Sequence, residues 1–207
     1  MDFQQLTTAF AEQIKTQTWL DWAITLTSLA YIWLAAKERP LCWAFGIVSC
    51  GLWAWADFAS YNLWVDGVLQ IFYVGMGFWG LYAWQSASPQ SGEQQGNTKI
   101  TSWSLARNVK LILLGLALTA AFGFLFKKYT PTSYPFADAL VTSFSIIATV
   151  LTIKKVLDGW VYWVVFDAMA IVLFWLKDAV LVAFVMVVYT LMAAYAWRQW
   201  RRKLASA

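Results

Sequence analysis

The sequence predicts an all-α integral membrane protein with seven transmembrane helices, arranged as two parallel three-helix repeats joined by a central linker helix (3+1+3). Three observations lead there. Of 207 residues, 61% are hydrophobic and only 13% charged, against roughly 25% charged in soluble domains, so there are too few polar groups to cover a soluble surface. Seven apolar runs approach the roughly 17 to 25 residues that cross a hydrocarbon core as a helix. Finally, short segments of the first half recur in order in the second.

In residues 1–18, Phe3, Leu6, Phe10 and Ile14 recur at helical spacing with Gln and Thr between them, which predicts an amphipathic helix lying at the interface. Acids near the start, with no apolar run or small-residue cleavage site, argue against a signal peptide. The predicted spans are Leu20–Ala36, Leu41–Phe58, Trp64–Trp84, Ala106–Phe126, Phe136–Ile153, Trp160–Leu176 and Ala179–Trp197. Pro40 suits the start of the second span, because proline lacks the N–H that a first turn does not use. Ser86–Thr101, rich in Gln, Ser and Gly, reads as a flexible loop. The chain thus divides into an interfacial segment (1–18), a first repeat (19–86), a loop and linker helix (87–130), a second repeat (131–200) and a basic cytoplasmic tail (201–207).

The recurrences are Thr27-Ser28-Leu29 with Thr142-Ser143-Phe144, Trp43 with Trp160, and Leu81-Tyr82-Ala83-Trp84 with Ala194-Tyr195-Ala196-Trp197. A slowly drifting offset is how a diverged duplication looks. One helix between two three-helix units gives both the same orientation, with a substrate site expected near the midplane between them. Lys and Arg set the direction. With the C-terminus cytoplasmic, that side holds Lys37, Arg39, Lys99, Arg107, Lys110, Lys154, Lys155, Arg198, Arg201, Arg202 and Lys203, and the other holds Lys15, Lys127, Lys128 and Lys177. The bias predicts N-out, C-in.

Several chemistries lack their parts. There is no His, which removes the commonest metal ligand and the usual neutral-pH base. Cys42 and Cys50 are separated by about 12 Å of helical rise, too far for a disulfide, and read as small apolar packers. Every Lys lies at a helix end, so no retinal Schiff base is indicated. With no nucleophile–base pair and no phosphate-cradling loop, the expectation is a non-enzyme with no cofactor, no metal and no nucleic-acid partner.

What can bind a solute is more specific. Asn62, Asp66, Gln70 and Tyr73 share one face of the third span, a polar stripe whose alternative role is helix–helix hydrogen bonding. In the sixth span Trp163 and Asp167 share a face. Asp167 offers either charge neutralisation of a cationic ligand or a structural bond to a Ser or Thr of a neighbouring helix; an acid at that depth is costly unless it faces a cavity or a partner. Trp175 reads as a belt residue or a lid, and Tyr189 and Thr190 reach mid-membrane depth as packing or site residues. Lys177 and Asp178 read as an interfacial ion pair.

The run Trp64-Val-Asp-Gly-Val-Leu-Gln-Ile-Phe-Tyr73, the Gly-Leu-Tyr-Ala-Trp84 ending, and Trp163–Asp167 with Tyr195-Ala-Trp197 resemble the bacterial PnuC nicotinamide riboside transporters over roughly residues 20–200. The resemblance implies an architecture like that of SWEET sugar transporters, a homotrimer in the bacterial inner membrane, and facilitated diffusion of nicotinamide riboside. It also implies that a cytoplasmic riboside kinase makes uptake one-way without ion coupling. The alternatives are a transporter of another small vitamin precursor or a sugar, and, from a different class, an intramembrane enzyme or receptor.

Overall fold

The computed structural model describes residues 3–61, 63–86 and 99–206. Eight α-helices follow in order: α1 (Phe3–Lys15), α2 (Trp19–Ala36), α3 (Leu41–Ala56), α4 (Trp64–Gln85), α5 (Leu105–Tyr129), α6 (Pro135–Ile153), α7 (Asp158–Leu176) and α8 (Val180–Ala205). A π-helical turn, Asp57–Tyr61, continues α3. Among the described residues there is no strand, only a single parallel bridge between Thr101 and Val156. The chain is an all-α integral membrane protein.

Among the described residues, six helices are long and apolar enough to cross a membrane: α2, α3 with its π turn, α5, α6, α7 and α8. The remaining predicted span, the third in order and here α4, has 22 residues, about 33 Å at 1.5 Å per residue. Its length suffices, but Asp66, Gln70 and its glycines make it less apolar than the others. Several boundaries differ from expectation, α5 running on to Tyr129 beyond the predicted Phe126. Helix α7 starts at Asp158, before the predicted Trp160. Helix α8 runs on through Arg198, Arg201, Arg202 and Lys203 to Ala205, so the predicted tail is largely a helical extension; the hydrophobic signal stops at the first Arg, whereas the backbone ladder does not.

Local chemistry explains the ends. A capping box opens α2: the Thr18 backbone N–H donates to Asp21 Oδ2 (2.8 Å) and the Asp21 N–H to Thr18 Oγ1 (3.3 Å), satisfying donors that a first turn leaves orphaned. Helices α2 and α6 both stop at a lysine followed by a residue in the left-handed region, Glu38 (φ 55°) and Lys155 (φ 52°), a common way to end a helix.

Helices α2, α3 and α4 pack in succession, as do α6, α7 and α8, and α5 packs along α6. The two trios meet along α2–α8 and α4–α6. Helix α1 lies on α8, with the Phe10 and Phe184 rings 5.5 Å apart. Gln13 caps the α7–α8 turn: its Nε2 donates to the Asp178 carbonyl (2.6 Å), and its Oε1 accepts from the Leu181 N–H (2.8 Å).

At the end away from α1, a layer of tryptophans joins the trios. Trp43 meets Trp84 edge-on at 5.5 Å, and Trp200 contacts Trp84 at 6.1 Å and Trp160 at 5.4 Å. Trp84 Nε1 donates across to the Ile153 carbonyl (2.9 Å) and Trp200 Nε1 to that of Ala35 (3.3 Å). Gly80 makes this packing possible, because a Cβ there would stand 2.3 Å from the Trp43 ring. Gly80→Ala is therefore expected to cost about 1–3 kcal/mol by overpacking, read as a lower unfolding temperature in detergent. Above this layer, Lys155 Nζ lies 3.3 Å from Glu38 Oε2, and Lys203 Nζ lies 2.6 Å from Glu38 Oε1.

The expected Lys177–Asp178 pair does not form. Lys177 reaches Asp138 on α6 instead, at 2.5 Å, and Asp138 also accepts from Thr132. Asp178 takes the left-handed turn position (φ 57°), and sequence adjacency in a tight turn does not bring the two side chains together.

Candidate functional site

A cavity of about 290 Å³ lies between the trios and is lined from all six of their helices. Helix α7 presents Trp163, Asp167, Ala170 and Phe174 to it, spaced so that all four share one face. Asp167 is the tenth residue of a nineteen-residue helix, so it sits at mid-depth. From α4 come Gln70, Tyr73 and Gly77, and from α8 Met186 and Tyr189.

The wall is tied together by hydroxyls. Tyr189 donates to Ser28 Oγ, joining α8 to α2, and Ser28 in turn donates to the Ile24 carbonyl (2.9 Å). Trp163 Nε1 donates to Thr152 Oγ1 (3.3 Å), joining α7 to α6. The Tyr73 hydroxyl neighbours that of Ser145. Asp167 is only 7% exposed, and no described residue makes a hydrogen bond to its carboxylate. The Ser or Thr partner that would make it a purely structural acid is therefore not seen among the described residues.

The structure brings together five of the sequence-predicted residues: Gln70, Tyr73, Trp163, Asp167 and Tyr189. The polar stripe of the third span divides. Asp66 lines a separate cavity of about 630 Å³ nearer the α1 end, with Asp138 and Lys177, and Asn62 lies outside the described residues. Trp175 lines a lateral apolar groove with Phe10 and Phe184, away from Asp167. Thr190 donates to the Met186 carbonyl of its own helix (2.8 Å).

Sequence reasoning missed Tyr31 and the α3 wall: Gly46, Ser49, Cys50 and Trp53. Helix α3 is apolar all round, so no stripe marks its cavity side; the i, i+3, i+4, i+7 spacing of small residues ending in Trp53 was the available signal. Cys50, expected as a packer, lines the cavity, whereas Cys42 is buried, and both thiols are free. Met186 stands in the wall, while Ala183 faces the lateral groove.

Chemically this is a cage for binding. Aromatic faces attract flat or cationic groups, one carboxylate supplies negative charge, and an amide can read hydroxyls or another amide. Among the described residues no group of three His, Cys, Asp or Glu is placed to hold a metal.

Comparison with known proteins agrees. The family profile described as "Nicotinamide mononucleotide transporter" matches residues 18–202. The nicotinamide riboside transporter PnuC of Escherichia coli (strain K12) is 24% identical, over 88% of this chain and 85% of its own length. That of Shigella flexneri matches to the same extent. A solved structure described as "Crystal structure of the Vitamin B3 transporter PnuC" shares the fold with a TM-score of 0.73, at 19% identity, covering 97% of this chain and 88% of the other. These relatives are transporters and not enzymes. Because the profile spans nearly the whole chain, from the capping box of α2 into the basic end of α8, the protein belongs to the nicotinamide mononucleotide transporter family, the PnuC transporters.

Proposed function

We propose that this protein carries nicotinamide riboside across the bacterial inner membrane by facilitated diffusion, with the central cavity as its binding site. The observation that carries the reading is the Asp167 carboxylate, buried at mid-depth with no hydrogen-bonding side chain among the described residues and facing a cavity walled by Trp163, Tyr31, Tyr73 and Tyr189. Nicotinamide riboside has a flat pyridinium cation, a carboxamide and ribose hydroxyls. In the proposed pose the cation lies near Asp167 between aromatic faces, and Gln70 reads the amide or hydroxyls. At about 290 Å³ the cavity stands at the small end of ligand sites, which start near 300 Å³.

The two trios are read as parallel three-helix repeats with α5 as linker, and transport as their rocking around the midplane site. The contact pattern supports this: the first helix of each trio packs on the third of the other, as a two-fold relation requires. Asn62, Asp66, Trp175 and Thr190 lie away from the central cavity or outside the described residues, so the proposed contacts centre on Gln70, Tyr73, Trp163, Asp167 and Tyr189. The basic residues at the Glu38–Lys155 end favour a cytoplasmic C-terminus and an outside N-terminus. Assembly as a homotrimer and kinase-driven trapping follow from the family resemblance.

Purified protein titrated with nicotinamide riboside, nicotinic acid riboside, thiamine and glucose is expected to bind the first most tightly. Liposomes holding only this protein should equilibrate labelled riboside without an ion gradient. Uptake that requires a sodium or proton gradient would overturn facilitated diffusion, and preference for thiamine or glucose would overturn the substrate.

A further inference from the structure

We infer that Phe174 is the barrier residue between the central cavity and the α1 end, and that its ring sets the rate at which solute reaches Asp167. The direction of travel rests on the proposed transport function; the barrier itself does not.

The central cavity and the 630 Å³ cavity nearer α1 have two lining residues in common, Val141 of α6 and Phe174 of α7. These two side chains form the septum, and Phe174 is much the larger. Phe174 follows Asp167 by seven residues on the same face of α7, about 10 Å along the axis, so solute entering here passes the ring before it meets the carboxylate.

The ring is also held. Lys177 Nζ lies 5.7 Å from its centroid, and the same ammonium binds Asp138 of α6 at 2.5 Å. That bridge spans the two helices whose side chains make the septum. A flat organic cation arriving in the outer cavity offers Asp138 and the ring the interactions that Lys177 offers them, and so can loosen the bridge as it passes. A neutral solute of the same size offers Asp138 no such exchange.

A rival route exists through a smaller cavity of about 170 Å³ between α2, α3 and α8, which shares Ser28, Trp53, Met186 and Tyr189 with the central one. The outer cavity beyond Phe174 is larger and reaches its septum past two side chains only, which favours it.

Cys50 makes the distinction measurable, since it lines the central cavity and Cys42→Ala leaves it the sole thiol. In detergent, a cationic methanethiosulfonate reagent should label Cys50 several-fold faster in Phe174→Ala than in the parent, and more slowly in Phe174→Trp. Trp22→Ala, which widens the rival cavity alone, should label at the parent rate. Phe174→Leu, a milder change, should fall between parent and Ala and serves if the Ala variant does not fold. Parent-like labelling in the Phe174→Ala, Phe174→Leu and Phe174→Trp variants, or acceleration by Trp22→Ala alone, overturns the inference. If the labelling order holds while riboside uptake fails, the barrier stands and the proposed substrate falls.

Discussion

Asp167→Asn is expected to weaken binding of a cationic riboside by roughly 10- to 100-fold, the range for losing a charged interaction of about 1.5–3 kcal/mol. The same substitution should raise the unfolding temperature of the ligand-free protein. The two signs have one cause. A carboxylate at 7% exposure, with no hydrogen bond from any described residue, has given up hydration without a replacement. Asn keeps the shape and removes the charge, so the empty protein is relieved of that cost. Ligand supplies the missing positive partner, so only the complex loses. Titration with nicotinamide riboside and with the net-neutral nicotinic acid riboside separates charge from shape, because the neutral solute should lose much less. Unchanged affinity with a lowered unfolding temperature would make Asp167 a structural acid instead.

Glu38→Gln is expected to cause a large loss of stability. It strips the Lys155 ammonium, whose side chain is 7% exposed, of its carboxylate. Breaking a buried pair from one side costs about 3–5 kcal/mol. The Trp84 ring, 5.0 Å from Lys155 Nζ, offsets part of this and places the result near the lower end. The Lys203 arm adds little, since its side chain is 53% exposed and water screens it. Adding Lys155→Met to Glu38→Gln should recover most of the loss, because no buried charge is then left alone. Both positions have positive φ, and each replacement meets the same backbone strain as the residue it replaces. The comparison of unfolding temperatures therefore reads charge. Equal stability of the single and double variants would show that the unpaired Lys155 ammonium carries no cost.

The helices were legible because apolar length is a property of a segment, and so was the α7 face, because Trp163 and Asp167 are large and polar enough to mark a helical stripe. The outline of the cavity was not. Whether Gln70 and Asp66 serve one space or two depends on where α6 crosses α4, and Phe174 and Val141 divide that space. The α3 wall of Gly46, Ser49 and Cys50 is formed by what small residues leave empty, and no single chain position announces that. The Lys177–Asp138 bridge joins residues 39 positions apart, out of reach of any local spacing rule.

The Glu38–Lys155 bond spans 117 positions, and its two residues stand at matching places, one past the lysine that ends the first helix of each trio. Two identical three-helix chains related by a symmetry axis would set like against like here, acid facing acid or ammonium facing ammonium. Opposite charges at such a meeting point require two different sequences. Within one chain the two trios need not be copies, so an acid can face an ammonium at this point.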